Sequence, residues 1–290
     1  MPANARDPEA QRPPDSRSQE DAGAEHRPAA HRGGSMKIAV TGKGGVGKST
    51  ITAALALLMA AKGRRVLAID ADPDANLASA LGIPLEDQQA IVTIAHQKDL
   101  IEERTGAKVD SYGQIFKLNP FVSDIADTYA YRHRGIDLLV LGAIQGGGSG
   151  CACPENVLLR SLVQDIVLHR DEALFMDMEP GIEHIGRATA RGVTSFIVVV
   201  EPGQRSIESF RRISKMSADI GIRSLFVVGN KIRSSSDGEL IRDAVGGERV
   251  IGLIPHSEQF LVNDRDGKSA IDNLDPNLLA LFEDIIQKLL

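Results

Sequence analysis

The sequence predicts a doubly wound α/β domain, a mostly parallel sheet flanked by helices, and three observations carry that expectation. Apolar runs of about five to eight residues, rich in Val, Ile and Leu, recur between positions 37 and 254. Stretches of helical patterning separate them, as crossover helices separate parallel strands. A glycine-rich loop stands between the first run and the first helix, at the end of a strand where open α/β folds bind ligands.

In chain order the expected strands are KIAVT (37–41), RVLAID (65–70), DLLVLGAI (137–144), ALFMDM (173–178), SFIVVV (195–200), LFVVGN (225–230) and VIGLI (250–254). Helices are expected over 48–62, 157–169, 206–220, 238–245 and 277–290. The stretch 83–136 has weak periodicity and takes no assignment. Residues 1–35 are rich in Pro, Ala, Gly and charge and hold almost nothing apolar. Such a segment cannot offset its own ordering entropy, so the expected organisation is a disordered tail followed by one domain over 36–290. Met36 directly precedes the first strand and is a candidate start.

Composition narrows the function classes. The formal net charge of −6 argues against broad attraction to nucleic acid or anionic lipid. No apolar run approaches the roughly 18 to 20 residues of a membrane span. The N-terminus lacks the layout of a secretory signal, and the chain has only two cysteines. A reducing, cytoplasmic setting is expected, with the cysteines metal-binding or redox-active rather than structural.

The loop after the first strand is GKGGVGKST, Gly42 to Thr50. It fits G-x-x-x-x-G-K-[ST] in the required strand–loop–helix context. Gly42, Gly44, Gly45, Val46 and Gly47 would turn their backbone N–H groups inward as an anion nest at the positive end of a helix. Lys48 is expected on the β- and γ-phosphates of ATP or ADP, Ser49 on Mg²⁺, and Thr50 on the α-phosphate.

Lys43, the second loop residue, gives the motif a further feature. KGGVGKS resembles the deviant Walker A motif KGGxGK[ST] of the MinD, ParA, ArsA and nitrogenase iron-protein superfamily. That resemblance implies two subunits sandwiching two nucleotides, with Lys43 reaching the partner's phosphates and hydrolysis gated by homodimer formation. Its positive charge would act where the transition state gathers negative charge. Asp72, in DADPD, matches the aspartate that family members use to orient the attacking water. Asp70 and Asp74 are weaker candidates, structural or switch residues. Asp177 resembles the Walker B aspartate that holds Mg²⁺ through water, and EPGIEH (179–184) resembles the second switch, with Pro180 an unexpected stiffening residue. Asn230 is similar to the family asparagine that hydrogen-bonds adenine, with Lys231 beside it.

Both cysteines, Cys151 and Cys153, lie in GGGSGCACPEN (146–156). A C-x-C pair supplies two soft ligands from one short loop, whereas a soft metal such as Zn²⁺ usually takes four. The two-fold dimer implied by Lys43 would place a second pair beside the first. Small buried thiols, a redox disulfide and an intersubunit iron–sulfur cluster remain open. The nitrogenase iron protein draws its second cysteine from switch II, where DMEPGIEH has none.

GGSGCACPEN, FMDMEPGIEH, VVGNKI and GLIP together resemble the CooC-type carbon monoxide dehydrogenase accessory ATPases, and the likeness covers essentially all of 36–290. It implies an ATP-hydrolysing metallochaperone that binds one metal per dimer at paired C-x-C loops, with carbon monoxide dehydrogenase as the client metalloenzyme. Ligand softness alone favours Zn²⁺; Ni²⁺ rests on the resemblance. The rival is a positioning ATPase of the ParA or MinD kind that binds DNA or membrane in the ATP state. Arg205, Arg211, Arg212 and Lys215 could make its basic patch, and NLLALFEDIIQKLL its membrane helix. A solvated helix face and a packing helix are the expected roles of these two segments, leaving no nucleic-acid or membrane partner.

Overall fold

The computed structural model describes residues 36–109, 113–142, 153–179, 189, 192–222 and 224–290, and the expected tail 1–35 lies outside them. In chain order the strands are β1 (Lys37–Gly42), β2 (Val66–Ala71), β3 (Tyr131–His133), β4 (Ile136–Val140), β5 (Ala173–Met178), β6 (Ser195–Val200), β7 (Leu225–Ile232) and β8 (Val250–Pro255). They form one sheet in the order β3-β4-β2-β5-β1-β6-β7-β8. Every neighbouring pair is parallel except β3 and β4.

β1, β5 and β6 are buried at every position, which is why they appear in the sequence as unbroken apolar runs. Their side chains alternate between two cores. Ile38, Val40 and Phe175 face one; Ala39, Leu174 and Met176 face the other. Helix α1 (Lys48–Ala61) packs on the first face, with Ile51, Leu55 and Leu58 buried there. Helices α2 (Leu77–Ala80), α3 (Leu85–Gln88), α4 (Lys98–Thr105) and α5 (Ile125–Tyr129) follow β2, with a 3₁₀ turn at Ile94–His96. All lie in or beside the unassigned stretch 83–136, and none is long enough to show a helical period.

The second face is covered by α6 (Pro154–His169) and α7 (Gln204–Ile220). α6 starts three residues ahead of expectation, because Pro154 at the first helical position has its φ already fixed and lacks an N–H that would go unpaired. α8 (Ser235–Val245) also starts early, on a capping box between Ser234 and Asp237. α9 (Glu258–Arg265) and α10 (Pro276–Leu289) complete the chain. α10 turns Leu278, Phe282, Ile285 and Ile286 into the core, so its apolar stripe is a packing face. Phe282 meets Phe260 edge to face at 6.3 Å, and Lys288 donates to the Ile251 carbonyl on β8 at 2.9 Å. Among the described residues no helix is long and apolar enough to cross a membrane.

Two polar anchors sit toward the amino ends of the strands. Arg170 pairs with Asp127 at 2.7 Å and with Glu172 at 2.8 Å, and Arg65 adds a second guanidinium to Glu172 at 2.8 Å. Lys37, on β1, is buried and donates its ammonium to the Val167 carbonyl near the end of α6. Burial lowers the Lys37 pKa, and Asp171 and Glu172 oppose that shift.

Candidate functional site

β1 ends at Gly42, where a Cβ would lie 2.5 Å from the Val199 carbonyl of the adjacent strand. The chain then turns through the phosphate loop into α1. Gly47 caps this helix with φ +97°, and a Cβ there would meet the Asn230 amide at 2.5 Å. The first turn of α1 holds no acidic residue, so its exposed N–H groups and its positive end are left for an anion. Val46 is buried, while Gly44 and Gly45 are exposed. Ser49 and Thr50 are half-buried at the start of the helix.

Three aspartates from adjacent strands stand against Lys48. Lys48 is buried and its ammonium lies 3.4 Å from Asp72. Asp70 and Asp177 are direct neighbours across β2 and β5 and both are fully buried. Asp70 accepts from the N–H of Asp72 at 3.1 Å and of Leu77 at 2.9 Å, so its carboxylate shapes the loop that presents Asp72. Burial pushes the Asp70 pKa up to about 6, against those two N–H groups. Asp74 donates its N–H to Asp72 at 3.1 Å and lines the same cleft.

Asp177 differs in having neither carboxylate oxygen hydrogen-bonded among the described residues. Burial raises its pKa to about 7; the Ser49 hydroxyl lies near enough to oppose that rise without meeting hydrogen-bond geometry, and Asp70 adds to it. An orphaned, desolvated carboxylate beside a hydroxyl fits a hard divalent cation such as Mg²⁺, which takes oxygen ligands and keeps water.

The far wall of the cleft comes from β6, β7 and α9. Asn230 donates its side-chain amide to the Val46 carbonyl at 2.8 Å and accepts from the Lys231 N–H at 2.9 Å. It therefore braces the phosphate loop from the far wall of the cleft. Lys231 has φ +58°, and its ammonium donates to the Gly45 carbonyl at 2.6 Å. Glu201, at the end of β6, lies 3.4 Å from Lys231 and 3.6 Å from Lys43. The cleft measures about 920 Å³ and is lined by Lys48, Thr50, Asp72, Asn230, Lys231 and Phe260 among others.

Cys153 is the N-cap of α6, half-buried, and its Sγ accepts from the Asn156 amide at 2.9 Å. Burial pushes the thiol pKa up, and Asn156 draws it down. α6 follows β4 in the chain and β4 lies beside β2, so Cys153 and the phosphate loop both follow carboxyl ends of parallel strands. Cys151 lies outside the described residues, as do Pro180, Gly181 and His184. Arg205, Arg211, Arg212 and Lys215 are exposed on α7, interspersed with exposed Glu208 and Asp219. Sequence reasoning missed Glu201 and the tether of Lys231 to Gly45; the one available signal was an acidic residue directly after a strand, in VVVEPG.

Residues 37–270 match the family described as the CobQ/CobB/MinD/ParA nucleotide binding domain. The chain is 45% identical over 237 residues to the carbon monoxide dehydrogenase accessory protein CooC of Rhodospirillum rubrum, covering 82% of this chain and 90% of that one. It is 43% identical over 253 residues to an uncharacterized ATP-binding protein of Methanocaldococcus jannaschii, covering 86% and 96%. Its fold is similar to that of a chain of the MinC:MinD cell division protein complex of Aquifex aeolicus, with a TM-score of 0.62 at 22% identity, covering 88% of this chain and 95% of that one.

Proposed function

The chain belongs to the CobQ/CobB/MinD/ParA nucleotide-binding family and, within it, to the CooC-type accessory ATPases, and from that footing we propose that it hydrolyses ATP as a homodimer to load nickel or zinc into a client enzyme such as carbon monoxide dehydrogenase. The observation that carries the nucleotide half is the buried Asp177, without a hydrogen-bond partner among the described residues, beside Lys48 and Asp72. Ser49 and Asp177 would hold Mg²⁺, which supplies charge neutralisation on the β- and γ-phosphate oxygens when bound. Lys48 and the N–H groups of the phosphate loop bind and orient the polyphosphate. Asp72, held in place through Asp70, aims an attacking water at the γ-phosphorus. Lys43 of each chain adds positive charge at the other chain's nucleotide, where charge gathers in the transition state.

Cys151 and Cys153 hold the cargo metal, with the same pair from a second chain completing four sulfur ligands. The Asn156 amide on Cys153 supports this, since an N–H donor stabilises a thiolate and fixes its orientation. A metal bound at loops that meet only in the dimer favours the dimer, and nucleotide state shifts the same equilibrium.

Equilibrium dialysis of the full chain against mixed Ni²⁺ and Zn²⁺, reduced and with ADP, tests the cargo site. The expected result is about one metal per two chains, with a dimer by light scattering, and loss of metal in Cys153→Ala. Metal-free protein that still hydrolyses ATP overturns the cargo reading. Lys43→Ala is expected to keep nucleotide binding and lose hydrolysis on the order of a thousandfold; undiminished hydrolysis overturns the role across the dimer.

A further inference from the structure

Glu201 lines the cleft and takes no part in the proposed nucleotide chemistry. It follows β6 directly, and its N–H donates to Ser206 Oγ, a buried hydroxyl, at 3.1 Å. The carboxylate lies between two ammonium groups, with Oε2 3.4 Å from Lys231 and Oε1 3.6 Å from Lys43. The two lysines are not equivalent. Lys231 is tethered by its 2.6 Å bond to the Gly45 carbonyl and by a left-handed backbone, φ +58°. Lys43 sits on the phosphate loop, is about as exposed as Lys231 (37% against 42%), and has Glu201 as its ion-pair partner among the described residues. One oxygen of Glu201 thus faces a cation tethered to the Gly45 carbonyl, while the other faces a cation whose ion-pair partner is Glu201 itself.

Granted the role of Lys43 across the dimer proposed above, we infer that Glu201 is a positioning residue that holds Lys43 against its own chain and yields it when a second nucleotide-bound chain arrives. A lysine that must reach outward has no use for an intrachain carboxylate in the transition state. The pair opposes dimer formation in the single chain and gives way where a polyphosphate offers more charge than one carboxylate. An ion pair of this exposure is worth a factor of about three. Both chains release one, so the dissociation constant of the ATP-bound dimer carries a penalty of roughly tenfold.

The first test needs no dimer. Nucleotide-free full chain is treated with an acetylating ester, and modification of Lys43 is followed by peptide mass spectrometry, with the exposed Lys62 as internal reference. In Glu201→Gln the amine of Lys43 loses the carboxylate that holds it, so its rate relative to Lys62 is expected to rise about threefold. Glu201→Asp, which keeps the charge at shorter reach, should fall between the two. An unchanged ratio in Glu201→Gln overturns the inference.

The second test measures dimer dissociation by sedimentation with a non-hydrolysable ATP analogue. Glu201→Gln is expected to tighten the dimer roughly tenfold in the wild-type background and to change nothing in the Lys43→Ala background. Tightening that persists without Lys43 means that Glu201 acts through Lys231 or the nucleotide, and the inference falls. Undiminished hydrolysis in Lys43→Ala removes the role across the dimer alone, because the acetylation ratio still tests the intrachain hold.

Discussion

Replacing Asp177 with asparagine should make the nucleotide-free protein more stable at pH 8 while abolishing its response to Mg²⁺ and ATP. The carboxyl is fully buried, its oxygens find no hydrogen-bond partner among the described residues, and its pKa stands at about 7 against 3.8 in its ordinary setting. The folded state therefore keeps this proton to higher pH than the unfolded chain, and stability falls as pH rises from about 4 to 7. A shift of that size corresponds to about 4 kcal/mol at its upper limit. Asparagine removes the charge but leaves a buried amide to satisfy, which returns about 1–3 kcal/mol. The net gain of about 1–3 kcal/mol corresponds to roughly 3–10 °C in Tm for a domain of this size. Thermal unfolding by circular dichroism, without nucleotide, should show the variant ahead at pH 8 and behind by about 1–3 kcal/mol near pH 4, where the wild-type carboxyl is neutral and only the amide cost remains. With Mg²⁺ and ATP the order should reverse, since only the carboxylate variant gains ligand stabilisation. A variant no more stable than wild type at pH 8, or an advantage that does not shrink toward acid, refutes the reasoning.

Gly47→Ala should weaken nucleotide binding by at least about tenfold while the chain stays folded, because φ +97° strains the alanine and its Cβ displaces the Asn230 amide from Val46. Titration with a fluorescent nucleotide decides it, and unchanged affinity counts against the bracing role of Asn230. Arg170→Ala leaves the mostly buried Glu172 with one guanidinium fewer and should cost about 2–4 kcal/mol in urea unfolding at pH 7. Arg170 draws the Glu172 pKa down, so this loss should appear above the unfolded pKa and shrink as pH falls through the folded one; a pH-independent loss points to packing instead. Phe282→Ala should cost about 3–5 kcal/mol and also weaken nucleotide binding, since Phe282 backs Phe260 in the cleft wall; lost stability with intact affinity separates the two roles.

The central strands were legible because burial on both faces writes itself as an unbroken Val, Ile and Leu run. β3 was not. Its three residues, Tyr131, Arg132 and His133, are half-buried or exposed, and its turn places Arg134 and Gly135 at positive φ without the usual Asn-Gly pair. The short helices of 83–136 follow the same logic, with four to eight residues apiece and too few turns to show a period. Within the site, the phosphate loop and its aspartates were visible from motif spacing. The hold of Asp70 on Leu77, of Asn230 on Val46 and of Glu201 on two lysines depends on residues 7, 184 and up to 158 positions apart. Only the fold brings such pairs together.

α6 begins at the Cys153 cap and ends near the carbonyl of Val167, which Lys37 of β1 holds. Its 16 residues make a rod about 24 Å long, gripped at one end by the strand that runs into the phosphate loop. A tilt of about 10° about Val167 would sweep the cysteine end through about 4 Å. That travel exceeds the length of a metal–sulfur bond, and the buried Leu158 and Leu162 would have to slide over the sheet to allow it, so packing on this face sets how far the cysteine end can swing.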